Sequence, residues 1–234
     1  QIFNHVLVRW GSERPRYFDP SLSVSFADGY LTSVGGSWAL PLITNTAELE
    51  YLPLNDPAPS NVKIQQQLEP RSDLSTSIQG TVTITGPLAA ELKQLYYSAG
   101  SSRTEPYLRQ LFGIGLQATS QPVVRVTNAD TAGARMEISF SSLQESAIKP
   151  AGQIRYVTFP VPGLLSSPLF ATPDRVSDVG LIRNLSVDID TIIRGAPVSD
   201  EAPSSCLSLN RFASIVRETI ATPQSAIIKD NIRF

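Results

Sequence analysis

The chain carries one histidine, His5, and one cysteine, Cys206, and these bound the chemistry it can perform unaided. A zinc site needs three or four ligands, mostly His and Cys. This pair is too small a set, so no metal, no cofactor and no catalytic residue is expected. Any Ser-His-Asp triad must use His5, and no Gly-x-Ser-x-Gly elbow is present. A Cys206–His5 pair would serve covalent catalysis only with the thiol beside the ring. Cys206 falls in the predicted first turn of a helix, at a packing position, and reads as a small buried apolar residue. His5 reads as a surface or edge-strand residue without partners. Replacing either should leave function intact.

Carboxylates are the remaining candidates. Glu48 and Glu50, and likewise Asp188 and Asp190, stand two residues apart and share one face of a predicted strand. Carboxylates about 6 to 7 Å apart suit acid/base hydrolysis or a hard cation. A solvated strand face explains them as well. Asn128, Asp130 and Gly133 faintly suggest a calcium loop, but the bidentate Glu and the twelve-residue spacing are missing. A hairpin turn accounts for them. No dinucleotide or Walker motif exists, and Gly113–Ile114–Gly115 is too short to count. Tyr96 and Tyr97 could stack a ligand, but on a helix they read as core and rim. Arg9, Arg14 and Arg16 are interleaved with Glu13 and Asp19, which predicts a salt-bridged connector rather than a nucleic-acid arm. The Asn184–Leu185–Ser186 sequon lies in a predicted buried strand and should be unmodified.

The elements that must position these residues are mostly strands. Charged residues make up 17% of the 234-residue chain, against about 25% in ordinary globular proteins. Prolines number 18 and glycines 14, a balance suited to strands joined by long loops. Alternating or β-branched runs predict strands at Ile2–Trp10, Ser21–Phe26, Tyr30–Val34, Trp38–Ile43, Leu49–Leu54, Val62–Leu68, Thr81–Thr85, Val123–Thr127, Arg135–Phe140, Ile154–Phe159 and around Leu185, Val187 and Ile189. Asp28–Gly29 and Asn128–Gly133 supply hairpin turns. Leu164–Asp178 is a proline- and serine-rich excursion. Pro87 and Gly100 bracket a helix over 87–99 carrying Leu88, Leu92 and Leu95. A second helix is predicted over 105–112, capped by Thr104. A last helix, capped by Ser204 or Ser205, would carry Leu209, Phe212, Ile215, Val216 and Ile220 on one face and stop at Pro223. An extended tail, Ser225–Phe234, follows. It should be ordered and docked on its own sheet or a neighbour's, and its removal should impair assembly more than folding.

The expected fold is a single mainly β domain over 1–234. Its expected architecture is an antiparallel, jelly-roll-like β-sandwich with two or three inserted short helices and extended terminal segments. An α+β fold is the alternative.

A net charge of -2 gives no global attraction to nucleic acid or anionic membrane. No apolar run is long enough to span a bilayer. A lone cysteine excludes an intramolecular disulfide. Lysine is confined to Lys63, Lys93, Lys149 and Lys229, so arginine dominates the 19 basic residues; arginine suits interfaces better than lysine. The chain starts at Gln1 and its sole methionine is Met136, from which cleavage out of a longer precursor is expected.

Together these features predict a non-enzymatic structural subunit, a virus coat protein released from a polyprotein. It would assemble with copies of itself or sister capsid chains in the host cytoplasm into a virion, with at most weak nucleic-acid contact on an inner face. The alternatives are a secreted β-sandwich module binding carbohydrate or protein, for which Trp10 and Trp38 are the only tryptophans, and a carboxylate-based hydrolase.

Overall fold

A computed structural model describes residues 5–11, 16–20, 36–42, 48–52, 59–115, 118, 120–131, 133–145, 148–151, 154–157, 185–195, 205–210, 213–222 and 224–233. The hairpin expected over 21–34, the excursion at 164–178, Glu13, Arg14, Asn184, Phe212 and Phe234 lie outside them.

Two small hairpins come first: β1 (Val8–Trp10) with β2 (Arg16–Phe18), and β3 (Trp38–Ala39) with β4 (Glu50–Tyr51). The strands are shorter than the alternation around them predicts. The long strands begin with β5 (Ser60–Pro70) and β6 (Thr76–Thr85), followed by helices α1 (Pro87–Ala99) and α2 (Ser101–Phe112). Then come β7 (Val123–Val126), β8 (Arg135–Gln144), β9 (Ile148–Ala151), β10 (Ile154–Val157), β11 (Leu185–Arg194), β12 (Ser205–Asn210), β13 (Ala213–Thr222) and β14 (Ser225–Arg233). Among the described residues β9 and β10 pair only with each other. Eight strands form one sheet in the order β12-β13-β14-β11-β5-β6-β8-β7. The chain is mainly β, organised around this sheet.

The sheet is mixed, which corrects the purely antiparallel expectation. β11 runs parallel to β5, with Leu185 beside Ser60 and Ile193 beside Leu68. A parallel neighbour needs a long crossover, and all of residues 71–184 separates these two strands. Local alternation carries no trace of so distant a pairing.

Alternation sorts the sheet into two faces. Val62, Ile64 and Leu68 of β5, Ile78, Val82 and Ile84 of β6, and Met136, Ile138 and Phe140 of β8 point into the core. Leu88 and Leu92 of α1 and Leu108 and Phe112 of α2 join the same cluster. Burying such a side chain contributes roughly 1.5–3 kcal/mol, so helical and strand periodicities meet where they stabilise most. The other face of β5, β6 and β8 carries Lys63, Gln65, Gln79, Thr81 and Ser141.

α1 starts at Pro87, as expected. Its cap comes from another strand: the Ser60 Oγ on β5 accepts a hydrogen bond from the Leu88 N–H at 3.0 Å. Gly86 makes this approach possible. Its φ is 84°, and a Cβ there would stand 2.6 Å from the Pro59 carbonyl oxygen.

α2 begins at Ser101, four residues before the expected start at Glu105. Thr104 is therefore not its cap. Thr104 lies inside the helix, buried, with its hydroxyl donating to the Gly100 carbonyl at 2.8 Å.

The last expected helix is absent, and strands β12 and β13 occupy its place. Ile215, Val216, Thr219, Ile220 and Thr222 are β-branched and lose rotamer freedom in a helix. As a strand the same segment pairs with the tail from Ser214–Arg233 to Thr222–Ser225. Cys206 is accordingly on strand β12, opposite Val216, and not in a helical turn. The tail is docked on its own sheet. β14 is an interior strand, paired with β13 on one side and β11 on the other.

Candidate functional site

The chemistry-bearing geometry lies at the first hairpin. Val8 of β1 pairs with Phe18 of β2, which brings the residues flanking those strand ends together. The His5 Nε2 lies 2.7 Å from the Asp19 Oδ2. The Asp19 side chain has no exposed surface, while that of His5 is 32% exposed. Taking a carboxylate out of water costs several kcal/mol unless it is partnered, and His5 is such a partner. His5 is a surface residue, as expected, but it is not without a partner. With Nε2–H donated to the carboxylate, Nδ1 is the ring nitrogen left with a lone pair. A buried acid that fixes one ring nitrogen sets the tautomer and orientation of the other.

A second cluster ties this hairpin to the next. The Tyr17 hydroxyl donates to the Glu50 Oε1, and the Arg9 Nε lies 3.3 Å from the Glu50 Oε2. Burial pushes the Tyr17 phenol pKa up; the hydrogen bond to Glu50 adds to this, and Arg9 opposes it. Beside Glu50, Tyr51 packs edge-on against Trp38, ring centres 5.3 Å apart. The expected connector thus exists in altered form, with Arg9 paired to Glu50 and Asp19 paired to His5.

The same two hairpins expose apolar side chains at alternate positions. Val6, Val8 and Trp10 project from β1 and the residues before it; Trp38, Leu40 and Leu42 project from β3 and beyond, and Leu49 and Tyr51 at β4. Trp10 is 66% exposed and Leu42 89%. A period of two that meets no core among the described residues marks a face suited to cover by other polypeptide.

Three of the four carboxylates of these pairs have hydrogen-bond or ion-pair partners. Asp188 and Asp190 share a face of β11, as expected. Asp188 accepts from the Asn231 Nδ2 at 2.6 Å and the Arg233 Nη1 at 3.2 Å, and Asp190 faces the Lys63 Nζ at 3.6 Å. Glu48 lies outside β4 and is exposed, while Glu50 is held by Tyr17 and Arg9. Among the described residues no group of three or more His, Cys, Asp or Glu could hold a metal ion, and no helix is long and apolar enough to cross a membrane.

Asn128, Asp130 and Gly133 form the β7–β8 turn. Lys93 of α1, fully buried, donates to the Thr131 carbonyl at 2.6 Å and the Gly133 carbonyl at 3.3 Å. The ammonium thus ties α1 to the β7–β8 turn. Burial pushes the Lys93 pKa below the usual lysine value, with the charge of Asp130 opposing. Tyr96 is half-buried and Tyr97 exposed, and no stacking pair forms between them and another ring among the described residues.

Asp19 is the partner of His5 that sequence reasoning left in the connector. The available signal was its fourteen-residue spacing from His5 across two short β runs. Comparison with known protein families, with curated proteins and with solved structures finds no match for this chain.

Proposed function

We propose that His5 and Asp19 are the base-and-orienter half of a nucleophilic acyl-transfer or hydrolytic site. The observation that carries this reading is the 2.7 Å contact between a partly exposed imidazole and a carboxylate with no exposed surface. Nucleophilic sites need a base within reach of the nucleophile, and a third group that orients the base. In this reading Asp19 orients the ring and the His5 Nδ1 takes the proton of an attacking water. The exposed apolar side chains of the same hairpins would contact the apolar part of an acyl substrate.

The intact chain should then accelerate hydrolysis of p-nitrophenyl acetate. The His5 Nδ1 takes a proton from water as the water oxygen attacks the acyl carbon, p-nitrophenolate leaves, and acetate is released. His5→Gln should remove the acceleration. Asp19→Asn should reduce it by an order of magnitude or more through loss of the oriented tautomer, with an unfolding midpoint close to that of the parent chain. Equal rates from the parent chain and His5→Gln would overturn the reading.

A second reading is a permanently assembling structural subunit, in its finer form a coat protein in which the large sheet is one wall of a jelly-roll-like sandwich. The alternating exposed residues from Val6 to Tyr51 favour it. Permanent interfaces bury roughly 2,000 Å² or more. Sedimentation of the intact chain should then show a stable oligomer at micromolar concentration, and Trp10→Ser with Leu42→Ser should shift it toward monomer. A monodisperse monomer of the parent chain would count decisively against assembly with itself.

A further inference from the structure

Two buried hydroxyls on neighbouring strands have no hydrogen-bond partner among the described residues: the Thr76 Oγ1 and the Ser142 Oγ. Thr76 is fully buried at the start of β6, opposite Gln144 of β8, and Ser142 of β8 is opposite Ile78 of β6. Thr76 shares its face with Ile78 and Val82, and Ser142 shares its face with Phe140 and Ile138. Both hydroxyls therefore point toward the core side of the same two strands, diagonal to one another.

Diagonal neighbours have Cβ atoms roughly 7 Å apart or less, too far for two short hydroxyls to bond directly. A water oxygen at about 2.8 Å from each hydroxyl bridges up to about 5.6 Å, which suits that diagonal. Two more polar side chains are buried at this end of the sheet, Ser75 and Gln144, so the surroundings are polar rather than dry. Buried hydroxyls are rarely left orphaned, and internal water is the usual partner when protein groups are out of reach.

We infer that the fold binds an internal water molecule between the Thr76 Oγ1 and the Ser142 Oγ. This water pins the end of β8 beyond Val123, where β7 no longer pairs with it. It completes the hydrogen bonding of the core at this end of β6 and β8.

The test rests on opposite signs. Thr76→Val keeps the shape and β-branching and removes only the hydroxyl. If a water bridges the pair, Thr76→Val and Ser142→Ala each lower the thermal midpoint by about 2–4 °C, the shift expected for a domain of this size from losing one such interaction. The double variant then loses less than the sum of the two, and Thr76→Ser, which keeps the hydroxyl, loses less than Thr76→Val. Magnetisation transfer from water to the buried hydroxyls detects the bound molecule directly. Dry orphaned hydroxyls give the reverse: both single variants raise the midpoint, effects add, and no transfer is seen. That outcome overturns the inference.

Discussion

Deleting residues 225–234 is expected to abolish cooperative folding of the intact chain. This reverses the expectation from sequence, in which the tail served assembly more than folding. β14 sits between β13 and β11 with nine paired positions on each side. Its loss leaves the facing edges of both strands without their ladder and exposes the surroundings of Ala226, Asp230 and Ile232, all buried. It also removes Asp230 from Arg217, whose Nε and Nη2 reach the carboxylate at 2.6 and 2.8 Å, and takes Asn231 and Arg233 from Asp188. The total stability of a domain is only about 5–15 kcal/mol, and an interior strand carries much of it. Far-UV circular dichroism under urea should show no cooperative transition for the truncated chain. A cooperative transition within a few degrees of the parent chain's thermal midpoint would show that β14 is dispensable.

Gly80→Ala is expected to destabilise the domain by about 3 kcal/mol, the upper range for forcing atoms into a packed core. Gly80 sits mid-strand in β6, between Gln66 of β5 and Phe140 of β8. A Cβ there would stand 2.3 Å from the Gln65 carbonyl oxygen, 2.7 Å from the Phe140 Cζ and 3.0 Å from the Gln66 Cα. The Phe140 ring can rotate away; the β5 backbone cannot move without breaking its ladders to β6 and β11. Thr81→Ala, at the adjacent exposed position, should change stability by about 0.5 kcal/mol or less. Urea unfolding measures both. A Gly80→Ala chain as stable as Thr81→Ala would mean that β5 and β6 do not approach as closely as described.

The same glycine explains why β6 was recognised only over Thr81–Thr85. A mid-strand glycine weakens the local β signal, yet β6 begins at Thr76, and the Gln65 carbonyl oxygen and the Phe140 ring fill the space a side chain would occupy at Gly80. The β5–β6 turn carries no glycine. Leu74 takes a φ of 68°, a region that favours glycine, and Asp73 holds the turn by accepting from the Ser75 N–H and Oγ. No residue pattern announces that choice. The candidate site was half legible: His5 stood out as the one histidine, while Asp19 looked like one charge among several in a connector.

By itself the sequence determined a mainly β chain, the helix from Pro87 to Gly100, the Val123–Phe140 hairpin, and the inward positions of β5 and β11. These follow from two-residue and 3.6-residue periods and from glycine and proline chemistry, all set within a few residues of chain. Tertiary structure alone decided that residues 205–222 are strands, that β11 runs parallel to β5, that the tail is interior, and that Asp19 closes on His5. Each of these depends on a partner outside the local segment. The apolar spacing of Leu209 to Ile220 fits a helix, and only pairing with β14 selects the extended form. An aspartate becomes a buried partner of an imidazole only when a hairpin folds it out of water. Such effects arise from pairing and desolvation between distant segments, which local periodicity does not encode.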